Sequence, residues 1–209
     1  MDSCENHYSA DVRHLVWILG YDASPEATDR AACLLHDFES LGALLAASAD
    51  RQLKTARYDE GIAGALRSFN DALVHVLRSR LPSGPLLSNC SQLHDYLRAT
   101  LSYSPIERFR VFYLDTAKRL IRDEVIASGT VDRVAIHCRE IIRRAIDLDA
   151  TALILVHNHP GGSLTPSASD TALTSRIGVL TTGLGIELVD HLIVANDRVI
   201  SLRQLGLLS

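Results

Sequence analysis

The stretch LILVHNHPGGSLTPSASD, residues 153–170, constrains the fold more tightly than any other part of the chain. Ala152 to His157 reads as a short buried strand. Pro160, Gly161 and Gly162 then turn the backbone. Thr165 to Leu184 carries an apolar stripe at helical spacing through Ala172, Leu173, Ile177 and Leu180, with Pro166 near its start and Gly183 and Gly185 near its end. The order is strand, loop, helix.

Side chains two apart on a strand share a face, so His157 and His159 project together from the strand's end with Cβ atoms about 7 Å apart. Ten residues separate His159 from Asp170, enough for the chain to loop out and return as a helix whose first turns hold the aspartate. Two histidines and a carboxylate are the ligand set of catalytic zinc, which keeps a fourth position for water. A structural site is closed by four protein ligands, usually with cysteine, and no cysteine is near. Ser167 precedes Asp170 by three residues and shares its helix face, where its hydroxyl could donate to an oxyanion beside Zn2+. Singly, a histidine at a strand end is a rim residue and T-P-S before a helix is a cap. The signal is the joint pattern of H-x-H, ten residues, then D, with S-x-x-D inside it.

Around this unit the apolar periodicity divides the chain. Ala31, Leu34, Leu35, Phe38, Leu41, Leu44 and Leu45 recur three and four apart, as do Ile62, Ala65, Leu66, Phe69, Leu73, Val76 and Leu77, which predicts a helical domain over residues 1–80. Residues 81–87, rich in proline, serine and glycine, are expected to form a linker. From 88 to 209 the pattern changes. RFRVFYLDT (108–116) and RLIRDEVIA (119–127) predict a hairpin, CREIIRRAIDLD (138–149) a helix, and GIELVDHLIVAND and RVISL two closing strands. The order β-β-α-β-α-β-β predicts an α/β domain with helices packed on a mixed sheet.

Composition removes several classes. With 47% hydrophobic and 22% charged residues the chain is neither disordered nor low-complexity. No apolar run nears the roughly 18 to 20 residues that span a bilayer, and the N-terminus is polar and acidic, so a cytoplasmic protein with no membrane span is expected. Cys4, Cys33, Cys90 and Cys138 lie far apart with no C-x-x-C pair, which indicates neither a disulfide framework nor a thiolate zinc knuckle. Residues 1–80 hold 8 Lys+Arg against 12 Asp+Glu, and residues 88–209 hold 13 of each. That balance argues against a basic nucleic-acid arm in the first domain.

Other chemistries fail on their letters. There is no H-E-x-x-H, no H-x-E with P-C-x-x-C, no G-x-S-x-G and no phosphate-cradling glycine loop. His7, His14, His36, His75, His94 and His137 are scattered and suggest no second site. His191, in VDHLIV, reads first as a structurally satisfied histidine and second as a partner of the metal site that holds an aspartate or a loop carbonyl. Hydrolysis needs a proton acceptor, usually glutamate. Spacing does not choose among Glu107, Glu124, Glu140 and Glu187, although Glu140, amid REIIRR, is expected to pair with arginines at the surface.

HNHPGGSLTPSASD resembles the JAMM metalloprotease motif of MPN/JAB domains, and its H-N-H-P-x-G form is similar to the RadC family. The resemblance covers residues 88–209 through D-E-V-I-A-S-G-T, C-R-E-I, the histidine loop and D-H-L-I-V. RadC-like chains often have Ser and Asp where this one has Gly161 and Ser163, which leaves His157, His159, Ser167 and Asp170 in register. The resemblance implies an MPN/JAB domain, a cytidine-deaminase-like mixed sheet flanked by helices, preceded by a small all-α domain. It implies a zinc-dependent hydrolase of peptide or isopeptide bonds, acting on a protein or peptide substrate, with metal ligands His157, His159 and Asp170 and catalytic residues Glu124 and Ser167. Glu124 is the match for the glutamate on an upstream strand, and Asp123 is its one-residue register alternative. RadC-like chains also carry an N-terminal helix-hairpin-helix and are linked by name to DNA repair. Here the corresponding stretch, YDEGIAGALRSF, keeps Gly61 and Gly64 but sets Asp59 and Glu60 beside them, with Lys54, Arg57 and Arg67 as the local cations. Nucleic-acid binding is therefore the less favoured alternative, beside a non-catalytic interaction scaffold.

Overall fold

The structure, a computed structural model, describes residues 2–22, 24–38, 40–57, 59–129 and 136–208, with the backbone alone for 2–9. Thr130 of the D-E-V-I-A-S-G-T stretch and the side chains of Cys4 and His7 lie outside the described residues. The chain divides into two compact units, Met1–Val76 and Leu77–Ser209. No helix among the described residues is long and apolar enough to cross a membrane.

The first unit is helical: α1 (Asp2–Ile18), α2 (Pro25–Leu35), α3 (Leu41–Ala46), α4 (Ala49–Thr55) and α5 (Glu60–Ser79), which runs past its end. Serines begin the middle three. Ser24, Ser40 and Ser48 sit in extended backbone and accept from the N–H groups of Ala27, Ala43 and Arg51, satisfying donors that a helix start leaves open. The Ser40 cap explains why the apolar spacing from 29 to 48 is cut into two helices: the turn before it ends α2 at Leu35. Phe38, within that turn, is still buried with Leu15, Leu34, Leu44 and Leu66. The α5 stripe is half covered, with Leu66 buried and Phe69 and Leu73 exposed.

The second unit is a five-stranded mixed sheet in the order β2-β1-β3-β4-β5. Its strands are β1 (Glu107–Leu114), β2 (Leu120–Gly129), β3 (Ala152–Asn158), β4 (Glu187–Ala195) and β5 (Arg198–Ser201). Among the described strands only β3 and β4 pair in parallel, and α8 (Ala168–Thr182) connects them. On one face Phe109, Val111 and Tyr113 of β1 and Leu153 and Leu155 of β3 pack against Ile141 and Ala145 of α7 (Cys138–Asp147) and Ile177 of α8. The other face carries α6 (Cys90–Leu101), a helix absent from the expected order, whose Tyr96 ring meets Phe112 at 6.5 Å. With both faces covered, every residue of β3 is buried, which is why its sequence is a continuous apolar run. Within residues 81–87, Leu86 is buried and its N–H donates to the Lys118 carbonyl at 2.8 Å.

Candidate metal centre

β3 ends on His157 and Asn158, and the His159 N–H continues the ladder to the Val194 carbonyl at 2.8 Å. His157 is 1% exposed and points to the α7–α8 face, where its ring stacks on Phe109. Between the two histidines Asn158 points the opposite way. It accepts from the Arg108 N–H at 2.9 Å and donates to the carbonyl of Ile106 at 3.1 Å, splicing the segment before β1 onto β3. After His159 the chain turns through Gly162, whose φ is +78° and whose missing Cβ would meet Asn196 Nδ2 at 3.1 Å. Glycine suits both constraints. The turn brings the Ser163 carbonyl within 2.7 Å of His159 Nδ1. A carbonyl only accepts, so Nδ1 carries the proton and Nε2 faces the site.

α8 starts with a reciprocal cap. Ser167 accepts from the Asp170 N–H at 3.1 Å, while Asp170 Oδ2 accepts from the Ser167 N–H and hydroxyl, each at 2.7 Å. This fixes the carboxylate toward the histidines. His157 Nε2 lies 3.2 Å from Asp170 Oδ1, His159 Nε2 lies 3.4 Å from Asp170 Oδ2, and the two Nε2 atoms are 2.9 Å apart. Ligand atoms bound at about 2.0–2.1 Å to a tetrahedral ion stand roughly 3.3 Å from one another. The cluster of His157, His159 and Asp170 therefore has the spacing and the donor set for one metal ion.

The electrostatics agree. Burial alone would raise the Asp170 pKa, but hydrogen bonding to His157 and His159, the charge of His157 and the Ser167 hydroxyl outweigh it and hold the carboxyl far below its usual range. His159 is shifted up, chiefly by Asp170. His191, wholly buried, is pulled down to about 3 by burial and then by the charge of His157. His191 Nε2 sits 2.8 Å from His157 Nδ1, and His191 Nδ1 sits 2.6 Å from the Thr174 hydroxyl. His191 thus adjoins the cluster through His157 and Thr174 rather than by holding an aspartate or a loop carbonyl.

The glutamate that the sheet sets beside the histidines is Glu107, while Glu124, the residue the resemblance selected, stands apart from them. Glu124 is opposite Val111 on edge strand β2, and Arg144 of α7 clasps its carboxylate, with Nε at 2.9 and 3.0 Å from the two oxygens. That pairing lowers its pKa. It is a structural ion pair, one strand removed from β3. Asp123 faces the other side of the sheet and is bound there by Arg110 Nε at 3.0 Å and the Tyr96 hydroxyl at 2.7 Å. Glu107 opens β1, which pairs directly with β3, and lies two residues from Phe109, the partner of His157. It therefore faces the ligands. Burial raises its pKa first and Asp170 raises it further, while His157 and His159 act in the opposite sense. The missed signal was pairing: ERFRVFYL is the strand beside H-x-H, and DEVIAS is its outer neighbour.

A family model described as the RadC-like JAB domain matches residues 87–207. A UPF0758 protein of Rhodobacter capsulatus is 42% identical over 175 residues, 84% of this chain and 82% of that one. A UPF0758 protein of Ruegeria pomeroyi is 39% identical over 178 residues, 85% of this chain and 80% of that one. The fold is that of a JAB domain. The chain belongs to the RadC-like JAB domain family.

Proposed function

We propose that this protein is a zinc-dependent hydrolase of peptide or isopeptide bonds, with His157, His159 and Asp170 as metal ligands. The observation that carries the reading is the convergence of three ligand atoms within 4.8 Å of one another, beside a half-buried glutamate whose pKa is raised. When bound, zinc polarises a carbonyl and lowers the pKa of a coordinated water. Glu107 takes the proton of the attacking water on its carboxylate and returns it to the leaving amine; its raised pKa, closer to neutrality, suits both halves of that transfer. The Ser167 hydroxyl donates to Asp170 and caps α8, which orients that ligand. The substrate is a protein or peptide with an accessible amide.

The test is elemental analysis of protein purified without added metal or a histidine tag, followed by peptide and isopeptide hydrolysis assays on the zinc-loaded form. Stoichiometric zinc that disappears in a His157→Ala/His159→Ala protein, with turnover lowered about 10²- to 10⁴-fold by Glu107→Gln and kept by Glu124→Gln, is the expected result. Wild-type protein that takes up no zinc, or Glu107→Gln with full turnover, overturns it.

A further inference from the structure

Thr174 lies on α8 one turn beyond Asp170 and, like His191, is wholly buried. Its Oγ1 is 2.6 Å from the main-chain oxygen of Asp170 and 2.6 Å from Nδ1 of His191. A peptide carbonyl only accepts, so the single hydroxyl proton goes to Asp170, and toward His191 the hydroxyl must accept. His191 Nδ1 therefore carries hydrogen. A neutral imidazole has one N–H, and this ring, shut off from water between His157 and the edge of Phe109, is neutral. Its Nε2 is left as an acceptor, 2.8 Å from His157 Nδ1. His157 must then donate from Nδ1, which, in the neutral form that a metal ligand takes, leaves a lone pair on Nε2. Each assignment follows from the one before, and the first rests on a carbonyl that cannot exchange its role.

We propose that Thr174 and His191 are positioning residues of the metal centre, a one-way hydrogen-bond chain that places the His157 proton on Nδ1 and keeps Nε2 free for the ion. The inference rests on the cluster being a metal centre. The chain closes on itself: the residue whose main chain anchors it, Asp170, supplies the third ligand from its side chain. α8 thus delivers one ligand and dictates which nitrogen of another is offered. Without the Thr174 hydroxyl, His191 is free to carry its proton on Nε2 and donate to His157 Nδ1. The His157 proton then sits on Nε2, where it blocks the ion.

The experiment compares wild type, Thr174→Val, which removes the hydroxyl at constant volume, and Thr174→Ser, which keeps it. Zinc affinity is measured by competition with a chromophoric chelator. Imidazole tautomers are read by long-range proton–nitrogen correlation NMR on zinc-loaded and metal-free protein, at a pH above the imidazole range. The expected result is Nδ1–H at His157 and His191 in the wild type, binding weakened about 10- to 100-fold in Thr174→Val with proton density moved to His157 Nε2, and wild-type behaviour in Thr174→Ser. A folded Thr174→Val protein that binds zinc as tightly as wild type and keeps Nδ1–H at His157 overturns the inference, as does Nε2–H at His157 in the metal-free wild type. If Thr174→Val does not fold, the wild-type tautomers and the Thr174→Ser affinity decide. Wild type that shows both Nδ1–H tautomers but takes up no zinc upholds the chain and sinks the metal-centre reading, so the two failures are distinct.

Discussion

Phe109 of β1 is the antiparallel partner of His157 of β3, and their rings stack at 6.2 Å between centroids. That single register sets the site. Strand side chains repeat every two residues, so the pairing carries Glu107, two positions earlier, onto the face of the ligands. It leaves Glu124, on the next strand out, in the grip of Arg144.

Glu107→Gln should lower turnover by about 10²- to 10⁴-fold, the range for a lost general base, while zinc content stays at the wild-type level. Steady-state hydrolysis and elemental analysis on the same preparation separate these effects. A proportional loss of metal would make Glu107 a ligand and not a base.

Glu124→Gln should leave turnover intact and lower stability at neutral pH by about 1 kcal/mol or less, because Arg144 is partly exposed and solvent screens the pair. The sign with pH follows from the lowered pKa of Glu124. The pair's contribution is complete above the unfolded carboxyl value near 4.5 and is lost as pH falls through the lower folded value. Melting curves of wild type and Glu124→Gln should therefore differ at pH 7 and converge in acid; a gap that widens in acid would contradict the assignment.

Gly162→Ala should strain the loop between the two histidine-bearing residues and the helix, since its φ is +78° and the added Cβ would press on Asn196. The left-handed backbone alone costs about 1–2 kcal/mol. Weaker zinc binding and a lower melting temperature are both expected, and unchanged values in both would show that the loop relaxes freely.

The Asp123 side chain is wholly enclosed, with Arg110, the Tyr96 hydroxyl and, more distantly at 4.0 Å, Arg78 as its partners. Arg110→Met alone should destabilise by about 3 kcal/mol, because it leaves the buried carboxylate with only the half-exposed Arg78 as counter-charge, and Arg110→Met combined with Asp123→Leu should recover most of the loss. Urea unfolding of the two proteins checks this. A double variant as unstable as the single one would mean that the pair is needed for packing rather than for mutual charge compensation.

Local pattern carried much of the second unit. The hairpin, α7, β3, α8 and the closing strands all lie where apolar period and turn residues put them, because both are local properties of the chain. α6 went unseen because its apolar residues, Leu93, Tyr96, Leu97 and Leu101, are set among His, Asp and Arg just after a turn-rich stretch. The split between α2 and α3 was also hidden. A buried Phe38 keeps the apolar rhythm while Ser40 changes the backbone.

At the site the division is sharper. By itself the sequence determined that His157 and His159 share a face and that Asp170 returns on a helix, since strand period, loop length and a helix cap are local properties of the chain. Only the tertiary structure decided which carboxylate stands beside them and what each imidazole touches. Those depend on strand pairing between residues about 50 positions apart, and on hydrogen bonds from α8 and β4 to β3, whose partners touch only after the sheet has closed.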